Sequence, residues 1–120
     1  MNPDATIVGF TELVTVRGTK GERTVLARID TGATKSSIDL RLAAELELGP
    51  HRRVAKIKSA AGIRLRPVVK EQVLIAGRTI RAELNLADRS GMRYKVLIGR
   101  NILKRGFLID PSRESPGGRA

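Results

Sequence analysis

One acidic residue stands where a buried strand is expected to end. The apolar run at residues 25–29 leads directly into Asp30, Thr31, Gly32 and Ala33. Gly32 permits a tight turn that brings backbone N–H groups close to the Asp30 carboxylate. Paired carboxylates at such a place serve as general acid and base in hydrolysis. The alternative is an ordinary strand-end turn in which Asp30 caps the residues that follow it, a common use of Asp-x-Gly.

A second segment carries a matching pattern further along the chain. Val96, Leu97 and Ile98 precede Gly99, and a short helix is predicted to begin at Asn101. A strand that ends in Asp-Thr-Gly-Ala, together with a later apolar strand that ends in Gly before a short helix, resembles the retropepsin-like aspartic proteases. Residues 25–112 also resemble a bacterial and archaeal subfamily labelled ATP-dependent zinc proteases. The segments that carry this likeness are RPVVKEQVLIAGR, LADRSGMRYKVLIGRNIL and FLIDPS.

The resemblance implies a homodimeric aspartic endopeptidase with flexible flaps over its site. Asp30 of each chain would supply one of two catalytic carboxylates, which share a proton and activate a water molecule. Thr31 would be a scaffold across the dimer, Gly32 a backbone donor, and Ala33 a wall of the substrate channel. The core element behind the site would consist of Leu97, Ile98 and Gly99.

The residues do not support the metal and nucleotide in the subfamily label. The chain has one histidine, His51, and no cysteine, and it contains neither an HExxH helix nor a nucleotide-binding glycine loop. We therefore predict no metal site and no cofactor.

The strong positive charge raises the question of anionic partners. The chain carries 23 Lys and Arg against 12 Asp and Glu, a formal charge of +11. Such a field attracts anions, and a basic β-domain that binds nucleic acid backbone is one alternative function. Aromatic residues make up only 2% of the chain, which argues against the stacking that single-strand and RNA binders use. A non-catalytic peptide-binding dimer on the same fold is a further alternative.

The spacing of apolar residues predicts a mainly β fold, closed into a barrel, with one or two short helices. Short segments rich in Val, Ile and Leu alternate with Gly, Pro and Asp/Ser turns. The predicted strands cover residues 12–16, 24–29, 54–59, 64–75, 80–86, 94–98 and 107–109. A helix is predicted from an Asp39 N-cap to residue 48, where Gly49 and Pro50 stop it.

Domain and location predictions follow from length and composition. Residues 1–111 are predicted to form one domain, and residues 112–120, rich in Gly, Pro, Ser and charge, a mobile tail. Because one domain of this size carries a single Asp-Thr-Gly, a twofold site requires two chains. The chain has no long apolar run and no secretory leader at its start, so we expect a cytoplasmic protein outside the membrane.

A hairpin loop at Ala60, Ala61 and Gly62 is the predicted flap, with Gly62 in a left-handed conformation. A three-residue loop places Ser59 opposite Ile63 and makes successive pairs point to opposite faces. One face then carries Lys56, Lys58, Arg64 and Arg66. That face is either a solvated surface or a binding site for an acidic substrate. Some members of the resembled subfamily look linked to enzymes that add glutamates to a ribosomal protein, which favours a glutamate-rich chain as substrate.

Overall fold

Nine strands and two short helices make up residues 5–60 and 62–113, the part of the chain that this computed structural model describes. The strands are β1 (Thr6–Val8), β2 (Thr11–Gly18), β3 (Gly21–Ile29), β4 (Ser37–Asp39), β5 (Arg53–Ser59), β6 (Gly62–Ile75), β7 (Arg78–Ala87), β8 (Val96–Ile98) and β9 (Phe107–Ile109). The helices are α1 (Leu40–Leu46) and α2 (Arg100–Leu103). The prediction of a mainly β fold with two short helices is confirmed.

Six of the strands close into a barrel. Their order is β2, β3, β8, β4, β7 and β6, and β6 returns to pair with β2 in the register Val14 to Ile75. β5 pairs with β6 and extends the β6 hairpin beyond the ring. The alternation of apolar residues along the strands fills the interior with aliphatic side chains. Ile38, Ile75, Leu84 and Ile98 are among the largest side chains that are fully buried there.

The position of β8 brings two distant parts of the sequence together. β8 runs parallel to β3, with Ile98 opposite Ile29, and antiparallel to β4, with Val96 opposite Ile38. The ends of β3 and β8 therefore lie side by side. The residues that follow these two strands begin at Asp30 and Gly99, so the barrel itself juxtaposes the two segments singled out in the sequence.

The helices agree with the predicted positions within one or two residues. Asp39 caps α1 by accepting a hydrogen bond from the Arg41 N–H at 3.2 Å, and the helix ends at Leu46 because Glu47 takes a left-handed conformation with φ 49°. α2 begins at Arg100, one residue before the predicted start. The short strands β1 and β4 were not predicted.

One small sheet lies outside the barrel. β1 and β9 form a separate parallel pair in which Ile7 lies opposite Leu108. Within residues 5–60 and 62–113, no helix is long and apolar enough to cross a bilayer. The boundary predicted at residue 111 stays a prediction, because residues 114–120 of the predicted tail lie outside the described residues.

Candidate active site

Asp30 lies directly after β3, against the end of β8. Its backbone N–H donates to the Ile98 carbonyl oxygen at 2.9 Å, which continues the pairing of the two strands by one residue. The Asp30 side chain is half-buried, while Thr31 and Gly32 are exposed in the single chain. The backbone of Asp30 is thus fixed, while the residue as a whole stays partly exposed.

A tight turn follows Asp30. The Gly32 N–H donates to Asp30 Oδ1 at 2.9 Å, and the Ala33 N–H donates to the Asp30 carbonyl oxygen at 3.2 Å. This is the geometry of an ordinary strand-end turn in which Asp30 caps the residues that follow it, and it is also compatible with the catalytic interpretation.

Gly99 packs closely against the backbone of the loop that follows Asp30. A Cβ atom built on Gly99 would lie 2.1 Å from the Lys35 carbonyl oxygen and 2.8 Å from the Ala33 carbonyl oxygen. No side chain fits at such distances, so Gly99 allows the end of β8 to touch the loop backbone. The Arg100 N–H donates to the Ala33 carbonyl oxygen at 2.8 Å, and the Asn101 N–H donates to that of Thr34 at 3.1 Å. The start of α2 therefore holds the loop that carries Asp30.

Arg100 adds a side-chain clamp that the sequence analysis did not identify. Its guanidinium donates to the Thr31 carbonyl oxygen at 2.8 Å and to Thr34 Oγ1 at 3.0 Å. A planar guanidinium suits this double contact, because its donors lie in a fixed fork. The clamp fixes both ends of the exposed part of the loop.

A buried polar network lies beneath the loop. Ser36 Oγ donates to Asn101 Oδ1 at 2.7 Å and accepts from the Gly99 N–H at 2.9 Å. Ser37 Oγ donates to Asn85 Oδ1 at 2.8 Å, and Asn85 Nδ2 donates to the Ser36 carbonyl oxygen at 3.0 Å. The sequence analysis assigned no polar network to these four side chains. Their partners lie far away in sequence, so no local pattern identifies them.

The flap hairpin differs from the predicted one by one residue in register. Ser59 pairs with Gly62, and Ala61, which belongs to the predicted loop, lies outside the described residues. Gly62 has the positive φ that was expected, at 112°, but it belongs to β6. The predicted pairing of Ser59 with Ile63 is therefore wrong.

The shifted register separates the four cations of the hairpin. The opposed pairs are Lys56 with Leu65, Lys58 with Ile63, Ile57 with Arg64, and Ala55 with Arg66. Because opposed residues share a face, the two lysines lie on one face and the two arginines on the other. The prediction of a single cationic face is therefore wrong. Like charges directly opposite each other are unfavourable, and in the observed register each cation lies opposite an uncharged residue.

Two cavities adjoin the Asp30 turn. A cavity of about 530 Å³ lies between the turn and the hairpin and is lined by residues that include Gly32, Ala33, Ile57 and Ile63. The cations on its wall are Lys35, Lys56, Lys58, Arg66 and Arg89, and no acidic side chain belongs to its described lining. A second cavity, of about 610 Å³, contains Asp30 in its wall together with Arg28, Arg89, Met92, Arg93, Tyr94 and Leu97. Arg89 and Leu97 line both cavities.

Arg89 is the most deeply placed of these cations. Burial lowers the pKa of Arg89, and repulsion from Arg66 and Arg28 acts in the same direction, whereas Asp39 and Asp30 raise it. The carboxylate of Asp30 thus lies within the electrostatic reach of a buried guanidinium. The sequence analysis missed this residue, because an Arg in a polar loop reads as a surface residue.

The residues described do not fit a zinc centre. No group of three or more His, Cys, Asp or Glu side chains that could ligate a metal exists within residues 5–60 and 62–113. The zinc of the subfamily label therefore has no donor set in this part of the chain.

Comparisons with known proteins agree with this geometry. The structure is similar to EIAV protease in complex with the inhibitor HBY-793, at 21% sequence identity and a TM-score of 0.64, over 87% of this chain and 90% of that one. It is also similar to Lpg0085 of Legionella pneumophila, a protein of unknown function, at 18% identity and a TM-score of 0.63, over 92% and 97% of the two chains. These likenesses confirm the retropepsin-like fold.

A search of curated protein sequences returned no match. The family description "Retropepsin-like aspartic endopeptidase RimB" matches residues 41–116, which is more than half of the chain. That match begins after the Asp30 turn, so the assignment to the family does not depend on the Asp-Thr-Gly motif. The ATP-dependent zinc protease label finds no support in these comparisons. The chain belongs to the RimB-like family of retropepsin-like aspartic endopeptidases.

Proposed function

We propose that this protein is an aspartic endopeptidase whose active form is a homodimer with one Asp30 from each chain. The observation that carries the proposal is the Asp30 carboxylate itself, which accepts the Gly32 N–H at 2.9 Å in an accessible turn beside a cavity. One chain supplies one such carboxylate, and the chemistry of the family needs two. A second copy related by a twofold axis provides the other.

The surface formed by β1 and β9 supports the dimer. Ile7 and Leu108 lie opposite each other on these strands and are 46% and 44% exposed, and Phe10 nearby in sequence is 55% exposed. The Phe10 carbonyl oxygen accepts the Ile29 N–H at 2.8 Å, so this apolar surface is tied to the residue before Asp30. Burial of such a patch in a twofold contact would remove it from water and bring the two turns together.

The chemistry uses one proton shared by two carboxylates. Two carboxylates a few ångströms apart do not both ionise cheaply, so the pair titrates as a unit. The ionised Asp30 takes a proton from water as the water oxygen attacks the scissile carbonyl carbon, and the protonated Asp30 donates to the carbonyl oxygen. The Asp30 that took the proton from water then gives it to the amide nitrogen, and the other Asp30 takes a proton from a hydroxyl of the diol as the C–N bond breaks, which leaves one proton on the pair as before. Thr31 serves as a scaffold between the chains, and no cofactor takes part.

The charge of the site favours acidic substrates. The cavity between turn and hairpin has five cations on its wall, Lys35, Lys56, Lys58, Arg66 and Arg89. A concave site of one charge sign concentrates ligands of the opposite sign. A glutamate-rich peptide fits this field better than a neutral one.

The test compares Asp30→Asn with Asp110→Asn in a peptidase assay on poly-L-glutamate and on a peptide mixture. Asp110 is a matched control, because its Oδ1 accepts the Ser112 N–H at 2.9 Å in a turn of the same kind that lines neither cavity beside Asp30. Asp30→Asn should lower kcat by a factor of about 10³ or more at unchanged thermal stability, because it removes the acid and the base. Asp110→Asn should keep wild-type turnover.

Three results would contradict the proposal. Wild-type turnover in Asp30→Asn would refute the site. Activity that EDTA abolishes and zinc restores would indicate metal-dependent hydrolysis. Salt-dependent binding of random oligonucleotides that Asp30→Asn leaves unchanged, without any peptidase activity, would favour the nucleic acid alternative.

A further inference from the structure

Arg89 is an unusual residue within this site, because a guanidinium is almost never buried without a partner. It lies in the loop between β7 and β8, and only 8% of its surface is exposed. It lines both cavities beside the Asp30 turn. The cost of removing its charge from water therefore needs a compensating contact.

Only one of the three guanidinium nitrogens has a protein acceptor among the described residues. Arg89 Nε donates to the Tyr94 carbonyl oxygen at 2.9 Å, and the Arg89 backbone N–H donates to Asp39 Oδ1 at 2.7 Å. Among the described residues, the two terminal nitrogens donate to no protein acceptor. These two nitrogens are not fully buried either. In the described residues, Thr11 Oγ1 is the one fully buried side-chain polar atom that lacks a partner. The four N–H bonds of these two nitrogens thus have no acceptor among the described residues, and Arg89 lines both cavities.

The loop that carries Arg89 is rigidly organised around a second cation. Lys95 Nζ donates to the carbonyl oxygens of Arg89, Ser90 and Met92 at 3.0, 2.9 and 3.0 Å. The Asp88 carboxylate closes the other side by accepting from the Ser90 N–H at 3.1 Å and from Ser90 Oγ at 2.6 Å. A guanidinium fixed in this way loses little further freedom when it binds a ligand.

We propose that Arg89 is a specificity-determining residue, whose two terminal nitrogens bind the side-chain carboxylate of a substrate Glu or Asp held next to the scissile bond. This inference rests on the proposed endopeptidase function and deepens it. A carboxylate matches the two parallel donors of a guanidinium and restores the contacts that burial removed. The position next to the scissile bond is part of the proposal, and it is based on Arg89 and Asp30 lining the same cavity.

This role differs from that of the exposed hairpin lysines. Salt screens charges that are open to water, and it screens a desolvated contact much less. Binding through Lys56 and Lys58 should therefore fade as salt rises. The preference that Arg89 contributes should persist at about 0.5 M salt.

The test measures binding in the Asp30→Asn dimer, which keeps peptides intact. The probes are two acetylated hexapeptides that carry either two Glu or two Gln residues between alanines. At about 0.5 M salt the Glu peptide should bind about tenfold to a hundredfold more tightly than the Gln peptide, the range of one charge-assisted contact. Adding Arg89→Gln should bring this ratio close to one, and Arg89→Lys should give an intermediate ratio. Arg52→Gln, which removes an exposed charge outside both cavity walls, should leave the ratio unchanged.

A second measurement uses the wild-type enzyme and does not depend on the folding of any variant. Digestion of a peptide mixture, with the cut sites read by mass spectrometry, should show Glu or Asp enriched at a position that flanks the scissile bond. An unchanged binding ratio in folded Arg89→Gln, or cut sites without acidic enrichment, would overturn the role of Arg89. An enzyme that cuts no peptide would refute the proposed function instead, and the binding ratio would still decide whether Arg89 recognises a carboxylate.

Discussion

Replacement of Gly99 by alanine is the sharpest test of how the barrel holds the Asp30 turn. The added Cβ would lie 2.1 Å from the Lys35 carbonyl oxygen and 2.7 Å from its carbonyl carbon. Both atoms belong to backbone, which does not yield as a flexible side chain does. Gly99 has φ −101°, a conformation that alanine adopts without strain, so the effect is steric alone.

The magnitude follows from what must move. To reach an ordinary contact the end of β8 and the loop have to separate by about 1 Å, which is overpacking with a cost of about 1–3 kcal/mol. The same separation stretches the hydrogen bond from the Asp30 N–H to the Ile98 carbonyl, at 2.9 Å, and that from the Arg100 N–H to the Ala33 carbonyl, at 2.8 Å. Each contributes about 1 kcal/mol net. We expect the free energy of unfolding to fall by about 3–5 kcal/mol and Tm by about 12–20 °C.

Activity should suffer more than stability alone explains. A displacement of about 1 Å at a reacting group costs about a hundredfold in rate. Gly91→Ala is the matched control, because nothing lies within 4 Å of a Cβ at Gly91 and its φ is not in the left-handed region. The assay is chemical denaturation together with kcat for both variants. A Gly99→Ala protein within about 0.5 kcal/mol of Gly91→Ala would refute the reasoning.

Two further predictions concern the dimer and the Arg89 loop. Leu108→Glu puts a charge into the apolar surface of β1 and β9, so light scattering should show monomers and peptidase activity should disappear. The circular dichroism spectrum should stay native, because Leu108 is already 44% exposed in one chain. An active Leu108→Glu dimer would contradict that interface. The Ser90 hydroxyl, the Ser90 N–H and Arg41 lower the pKa of Asp88 from 3.8 to about 2. Its ionised form therefore stabilises the folded loop above pH 3.8, and this contribution disappears as the pH falls toward 2. Asp88→Asn should accordingly be less stable than wild type near neutral pH, and the two proteins should have similar stability near pH 2. A difference in denaturation midpoint that does not change with pH would show that the carboxylate charge is not responsible.

The sequence alone determined the features that depend on neighbouring residues. Apolar alternation identified the long strands, because a period of two is imposed by the strand itself. Asp39 was recognised as a helix cap, and the turn at Asp30 and Gly32 was recognised for the same local reason. The resemblance of two short motifs predicted the retropepsin-like fold, which the structural comparisons confirm.

Only the tertiary structure decided the features that depend on distant partners. The hairpin register is the pairing of β5 with β6, in which Ser59 lies opposite Gly62. A shift of this register by one residue moves the side chains of one strand to the other face relative to those of its partner, and no local pattern determines it. The three-residue strands β1 and β4 exist because β9 and β7 pair with them. Asn85, Asn101 and the buried Arg89 carry no local signal, since their roles arise from contacts that folding alone brings together.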